Sequence, residues 1–127
     1  MSDSLHIVFS SPPDGVPEDE FNRWYDAHLD EILAVPGFVS ARRFRLDPIV
    51  SEPGAGAPFR YLAVYEIDGD PADAIAELER AGFGSKESYA ALKDADSGSL
   101  ELPRWWNEAR FASWNCVALG ARVERRD

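Results

Sequence analysis

The chain has 127 residues, a formal net charge of -10, 45% apolar residues and 12% aromatic ones. That length fits a single domain over residues 1–127, and it lets roughly two thirds of the unfolded surface be buried, enough for a core without staples. The acidic balance argues against nucleic-acid and membrane-surface partners, and no Lys/Arg cluster offsets it. A lone cysteine, Cys116, excludes an intrachain disulfide and reads as a buried, inert thiol. Met1-Ser2-Asp3-Ser4-Leu5 has no basic n-region, and no apolar run approaches the roughly 20 residues that span a bilayer. A soluble cytoplasmic protein is the expectation.

Leu5 to Phe9 is a short apolar run stopped by Ser10-Ser11-Pro12-Pro13, so it predicts a strand and a turn. A helix follows Pro17, with Glu18, Asp19 and Glu20 at its positive end, and is expected to run to about Val35 before Pro36-Gly37. Phe38 to Leu46 predicts a second strand. Asp47 to Pro58 predicts a long loop, and Phe59 to Ile67 a third strand. Pro71 opens a second helix over about Ala72 to Ala81. Lys86 to Lys93 predicts a short extra helix, Ser97-Gly98-Ser99 a loop, and Arg110 to Val123 a long last strand.

The order βαββαβ with one insert is that of the α+β ferredoxin-like fold, an antiparallel four-stranded sheet with both helices on one face. The third and fourth strands are apolar on both parities. Helices cover only one face, so the other needs a partner, most simply a second copy of the chain. A homodimer through the sheet face is therefore expected.

On a helical wheel of about 100° per residue, Phe21, Trp24, Tyr25, Ile32 and Val35 fall within about 60° of His28. His28 thus projects from the buried stripe, where an imidazole needs partners. It either holds the packing or lines a cavity and exchanges a proton with a ligand, since its free pKa lies near neutrality. Trp24 and Tyr25 would supply apolar walls and one hydroxyl.

The stretch Glu20-Phe21-Asn22-Arg23-Trp24-Tyr25-Asp26-Ala27-His28-Leu29, followed by Val35-Pro36-Gly37-Phe38, resembles the dimeric α/β-barrel superfamily, especially its EthD-like branch. The resemblance covers about residues 5 to 70. It departs at Asp30, where many relatives have proline. It implies a homodimeric barrel and a pocket-lining general acid or base at His28. Relatives include isomerases, cyclases, dehydratases, cofactor-free monooxygenases, haem enzymes and members without known activity.

The other candidates are weaker. Tyr61 and Tyr65 share one strand face; they orient a carbonyl or enolate if that face meets the helices, and pack the dimer interface if it does not. Asn115, with Ser113, is a polar position in an apolar strand. Of the adjacent Trp105 and Trp106, one is expected to cap the pocket, and Trp105 is the candidate. Arg42 shares a parity with Phe38 and Phe44 and would bind a substrate carboxylate. His6 and His28 are the two histidines and form no ligand-spaced cluster, so no metal is expected. No Gly-rich phosphate loop or nucleophile elbow is present, so no cofactor is expected; haem through His28 is the residual possibility.

The leading expectation is a cofactor-independent lyase, isomerase or cyclase for a small aromatic or polyketide-like metabolite, with His28 moving the proton and Tyr25, Tyr65 and Asn115 positioning oxygen atoms. A ligand-binding or stress-associated dimer without catalysis and a cofactor-free monooxygenase are the alternatives.

Overall fold

The computed structural model describes residues 4–49, 59–84 and 103–126. In chain order these form β1 (Ser4–Ser11), α1 (Glu18–Leu33), β2 (Phe38–Arg45), β3 (Tyr61–Ile67), α2 (Pro71–Arg80), a short 3-10 turn (Trp106–Glu108) and β4 (Arg110–Val117). The four strands make one sheet in the order β2-β3-β1-β4, and every neighbouring pair is antiparallel. With helices after the first and third strands, this is the ferredoxin-like order. The expected helix over residues 86–93 and loop over 97–99 lie outside the described residues, as does most of the loop over 47–58.

Local chemistry sets the boundaries. No side chain caps the start of α1, but Glu18, Asp19 and Glu20 meet the positive end of its dipole. Asp70 caps α2 by accepting from the Ala72 amide at 2.9 Å, and Pro71 takes the first helical position. After α1 the chain turns at Gly37, whose φ of +97° favours a residue without Cβ. The Gly37 carbonyl then accepts from the Asp68 amide at 2.9 Å, tying the start of β2 to the end of β3.

Alternation decides the faces. Tyr61, Ala63, Tyr65 and Ile67 of β3 are buried under the helices, whereas Leu62 and Val64 are half-buried on the other side and Glu66 is exposed. From α1, Phe21, Tyr25 and Ile32 fill this core, and from α2, Ala74 and Leu78. The outer face carries Ile7, Phe9, Leu62, Val64, Phe44 and Trp114, and Cys116 sits half-buried there rather than in the core.

Two expectations are corrected. A register shift between Phe38 and Ser40 inserts one residue into β2 and inverts its phase. Phe38 is buried inward, but Arg42 and Phe44 face outward opposite Val64 and Leu62, and Arg43 points inward opposite Ala63. The last strand ends at Val117, not Val123. Its neighbour β1 begins at Ser4, which pairs with Val117, so later residues have no ladder to join among the described residues. Residues 118–126 are exposed.

A Cβ at Gly37 would lie 3.0 Å from the Ala74 Cβ, whereas one at Gly69, also left-handed at +89°, would meet nothing within 4 Å. Gly69→Ala is expected to cost about 1 kcal/mol of stability, and Gly37→Ala about 2 kcal/mol or more. Urea denaturation of both variants measures the difference. Equal losses would remove the role given to the Gly37–Ala74 contact.

Candidate functional site

A cavity of about 610 Å³ opens between the helices and the inner sheet face. Helix α1 contributes Trp24, Tyr25, His28 and Ile32 to it, and the central strands contribute His6, Val8 and Tyr65. Ile75, Leu78 and Phe83 close one side, and Trp106, Phe111 and Ser113 the side toward β4. An apolar wall with a few converging polar groups is the usual form of a small-molecule site.

His28 keeps a side-chain exposure of 13% because it follows Phe21 and Tyr25 along the buried stripe. Its Nδ1 lies 2.9 Å from Glu31 Oε1, and the Glu31 side chain is 11% exposed. A carboxylate only accepts, so Nδ1 carries the hydrogen and the neutral ring has its lone pair on Nε2. The ring stacks on Trp24, with centroids 4.9 Å apart and planes 13° apart, and meets Tyr25 and Phe83 edge-on. Carboxylate and indole together fix its orientation.

Tyr25 and Tyr65 form a hydrogen-bonded pair at the floor of the cavity, each 2% exposed. Burial pushes the Tyr25 hydroxyl up to about 12, partly opposed by the Arg43 cation. Burial also raises Tyr65 well above the usual phenol value, and the neighbouring Tyr25 adds to the rise. Both therefore keep their protons at neutral pH and act as hydrogen-bonding groups, not as acids. Ser10 Oγ sits beside Tyr25 but makes no hydrogen bond of ordinary geometry.

Arg43 lies behind this pair. Its guanidinium carbon is 4.5 Å from the Tyr25 ring centroid and 5.1 Å from that of Tyr61. Nη1 donates to Asp26 Oδ1 at 3.2 Å, while buried Nε and Nη2 find no oxygen and rest among ring faces. On β1, His6 is 8% exposed, and its Nδ1 lies 2.9 Å from Asn115 Oδ1 on β4. Burial lowers the His6 pKa, and the Asn115 contact partly offsets this.

The structure gathers His28, Tyr25, Tyr65 and Trp24 around the cavity and separates the other candidates from it. Tyr61 is buried in the core beyond the cavity, bonded through its hydroxyl to Glu18 and Asn22. Trp105 packs against Phe21 and Trp24 at 5.0 and 5.4 Å, and the neighbouring Trp106 is the one that lines the cavity. Arg42 lies over the Phe44 ring on the outer face, moved there by the β2 bulge. Asn115 is exposed and reaches the cavity only through His6.

Three residues escaped the sequence reading as site residues, His6, Glu31 and Arg43, while of the two adjacent tryptophans the structure takes Trp106. Glu31 had a signal, three residues after His28 and so beside it on the helix. His6 also had one, since it shares a parity with Ser4 and Ser10 in a strand otherwise apolar. Arg43 had none, because only the bulge turns it inward. Among the described residues no three His, Cys, Asp or Glu side chains group to hold a metal ion, and no helix is long and apolar enough to cross a membrane.

No family model matches the chain, and no curated protein matches it in sequence. Solved structures do. The protein At3g17210 of Arabidopsis thaliana is 11% identical, with a TM-score of 0.57, covering 94% of this chain and 99% of that one. The fold is the ferredoxin-like sandwich. An EthD family protein from Bacillus halodurans is 14% identical over 91% of this chain and 99% of its own, with a TM-score of 0.44. A dimeric ferredoxin-like protein from Thermobifida fusca is 16% identical over 91% and 90%, with a TM-score of 0.45.

Two pH limits follow from the buried groups. An unfolded tyrosine ionises near 10, and Tyr25 in the fold near about 12, so its contribution to stability is complete below about pH 10 and is lost as pH rises toward 12. His6 is held below its ordinary value, so its contribution is present above about pH 6.5 and is lost as pH falls through the folded value. Urea midpoints from pH 4 to 11.5 should decline at both ends. Tyr25→Phe should flatten the alkaline decline, and His6→Phe the acid one.

Proposed function

We propose that the chain is a cofactor-independent acid–base enzyme for a small aromatic or polyketide-like metabolite, working through an enol or enolate as a lyase, isomerase or cyclase. The observation that carries the reading is the His28–Glu31 pair set in an aromatic wall above two neutral tyrosine hydroxyls. His28 Nε2 takes a proton from a carbon next to a carbonyl. The C–H electron pair forms the enolate double bond, and the negative charge moves to the carbonyl oxygen. The Tyr25–Tyr65 pair donates a hydrogen bond to that oxygen, stabilising charge that develops in the transition state. Glu31 holds the ring in one tautomer and meets the charge of the imidazolium, as an orienting carboxylate does in a catalytic triad. The proton then returns to a different atom of the same substrate, and no redox group is required.

The test is solvent deuterium exchange at the acidic carbon of a β-diketone probe, benzoylacetone. The protein should accelerate exchange over buffer, His28→Gln should lower the acceleration about a hundredfold or more, and Glu31→Gln about tenfold. Exchange no faster than in buffer would leave a ligand-binding role instead, and acceleration unchanged in a folded His28→Gln variant would remove His28 as the base.

The proposed enzyme is a homodimer through the outer sheet face. Support comes from the apolar side chains on that face, with Trp114 55% and Phe44 39% exposed, and from the dimeric neighbours. Two such faces packed together would bury a second core. Sedimentation equilibrium should give a dimer mass, and Trp114→Glu should shift it to monomer with helix content retained. A wild-type monomer at micromolar concentration would end this assignment.

A further inference from the structure

His6 is a buried titratable group that the proton-transfer scheme leaves unused. It stands in the middle of β1 with Phe38 edge-on and Tyr65 tilted against it, both centroids 5.9 Å away. Asn115 lies directly opposite it in the β1–β4 register, so the 2.9 Å contact of Nδ1 with Oδ1 is built into the ladder. An amide oxygen only accepts, so Nδ1 must carry the hydrogen. In the neutral ring the lone pair then sits on Nε2. His6 lines the same cavity as His28, Tyr25 and Tyr65.

The two imidazoles differ in one respect. His28 is backed by a carboxylate, which meets the charge of a protonated ring, whereas His6 is backed by a neutral amide and sits deeper. A buried ring backed by an amide favours the neutral form, and burial does lower its pKa. A neutral imidazole of fixed tautomer is a hydrogen-bond acceptor and a poor acid. A donor from the Tyr25–Tyr65 pair beside an acceptor at His6 suits a ligand that carries a carbonyl or oxyanion together with a hydroxyl.

We propose that His6 reads a hydroxyl of the ligand: Nε2 accepts a hydrogen bond from a phenol or enol O–H, and Asn115 is the positioning residue that fixes the tautomer. The inference rests on the reading of the cavity as a ligand site and names the ligand class, hydroxylated aromatics or enols rather than their ethers. An ether cannot donate and would leave the buried nitrogen without its hydrogen bond, which is expected to cost about tenfold or more in affinity.

The test compares 2-naphthol with 2-methoxynaphthalene by calorimetry, with nitrogen NMR of the imidazoles. The wild type should prefer the naphthol about tenfold or more, and the His6 Nε2 resonance should shift with the naphthol and not with the ether. His6→Phe should erase the preference. Asn115→Leu, a change at an exposed position, should move His6 away from the Nδ1–H tautomer and weaken the preference, which keeps the test open if His6→Phe does not fold. No preference in the wild type, a preference that survives His6→Phe or is undiminished in Asn115→Leu, or no binding of either probe would overturn the proposal. Retained exchange chemistry in His28→Gln alongside an intact hydroxyl preference would sink the catalytic scheme and leave His6 in its role.

Discussion

Phe21 and Tyr25, one turn apart on α1, are pressed into the inner face of the sheet, and the orientation of the other α1 groups at the cavity follows from that contact. Phe21 stacks on Tyr61 and tilts against Trp105, while Tyr25 bonds to Tyr65. Burying side chains of this size contributes about 2–3 kcal/mol each. Once both are seated, the rotation of α1 about its axis is fixed. The next inward position, one turn on, is His28, and the one beyond is Ile32. The imidazole faces the cavity because its neighbours on the stripe are hydrophobic, not because anything draws the imidazole itself inward.

An inward histidine has a cost that the fold meets locally. Glu31 lies on the same helix, so the 2.9 Å pair forms as soon as the helix does and needs no partner from elsewhere. His6 obtains Asn115 from the neighbouring strand with equal economy, through register alone. Arg43 is handled differently. Three ring faces surround its guanidinium, and an interaction with ring quadrupoles replaces hydrogen bonds that the core does not offer. That cation opposes the effect of burial on both tyrosines without ionising either at neutral pH. The cavity thus presents fixed donors on its floor and imidazole nitrogens on its walls.

The outer face raises a separate physical problem. Ile7, Phe9, Leu62 and Val64 alternate with the buried inner residues, so the central strands cannot serve the core without also presenting an apolar surface outward. The same alternation that places Tyr65 in the cavity produces the face assigned to dimerisation. The cavity and the proposed interface are therefore two sides of one sheet, and a change in register would disrupt both.

Much of this was legible in the residues. Periodicity located the first helix and its His28-bearing stripe, Pro and Gly marked its end, and the strand–helix order gave the topology, because these depend on interactions between near neighbours. The inward face of β3 was left open in the chain, since apolar residues on both parities satisfy either arrangement. Only packing against α1 chose Tyr61 and Tyr65 for the inside. The β2 bulge exchanged Arg42 for Arg43, strand pairing ended β4 at Val117, and the turn before β4 put Trp106 rather than Trp105 on the cavity. Each of these was decided by a partner distant in sequence. The sequence by itself determined which side chains share the helical stripe and, where no bulge intervenes, a strand parity; the tertiary structure alone decided which face of the sheet the helices cover, because that depends on burying both apolar surfaces at once and not on any local preference.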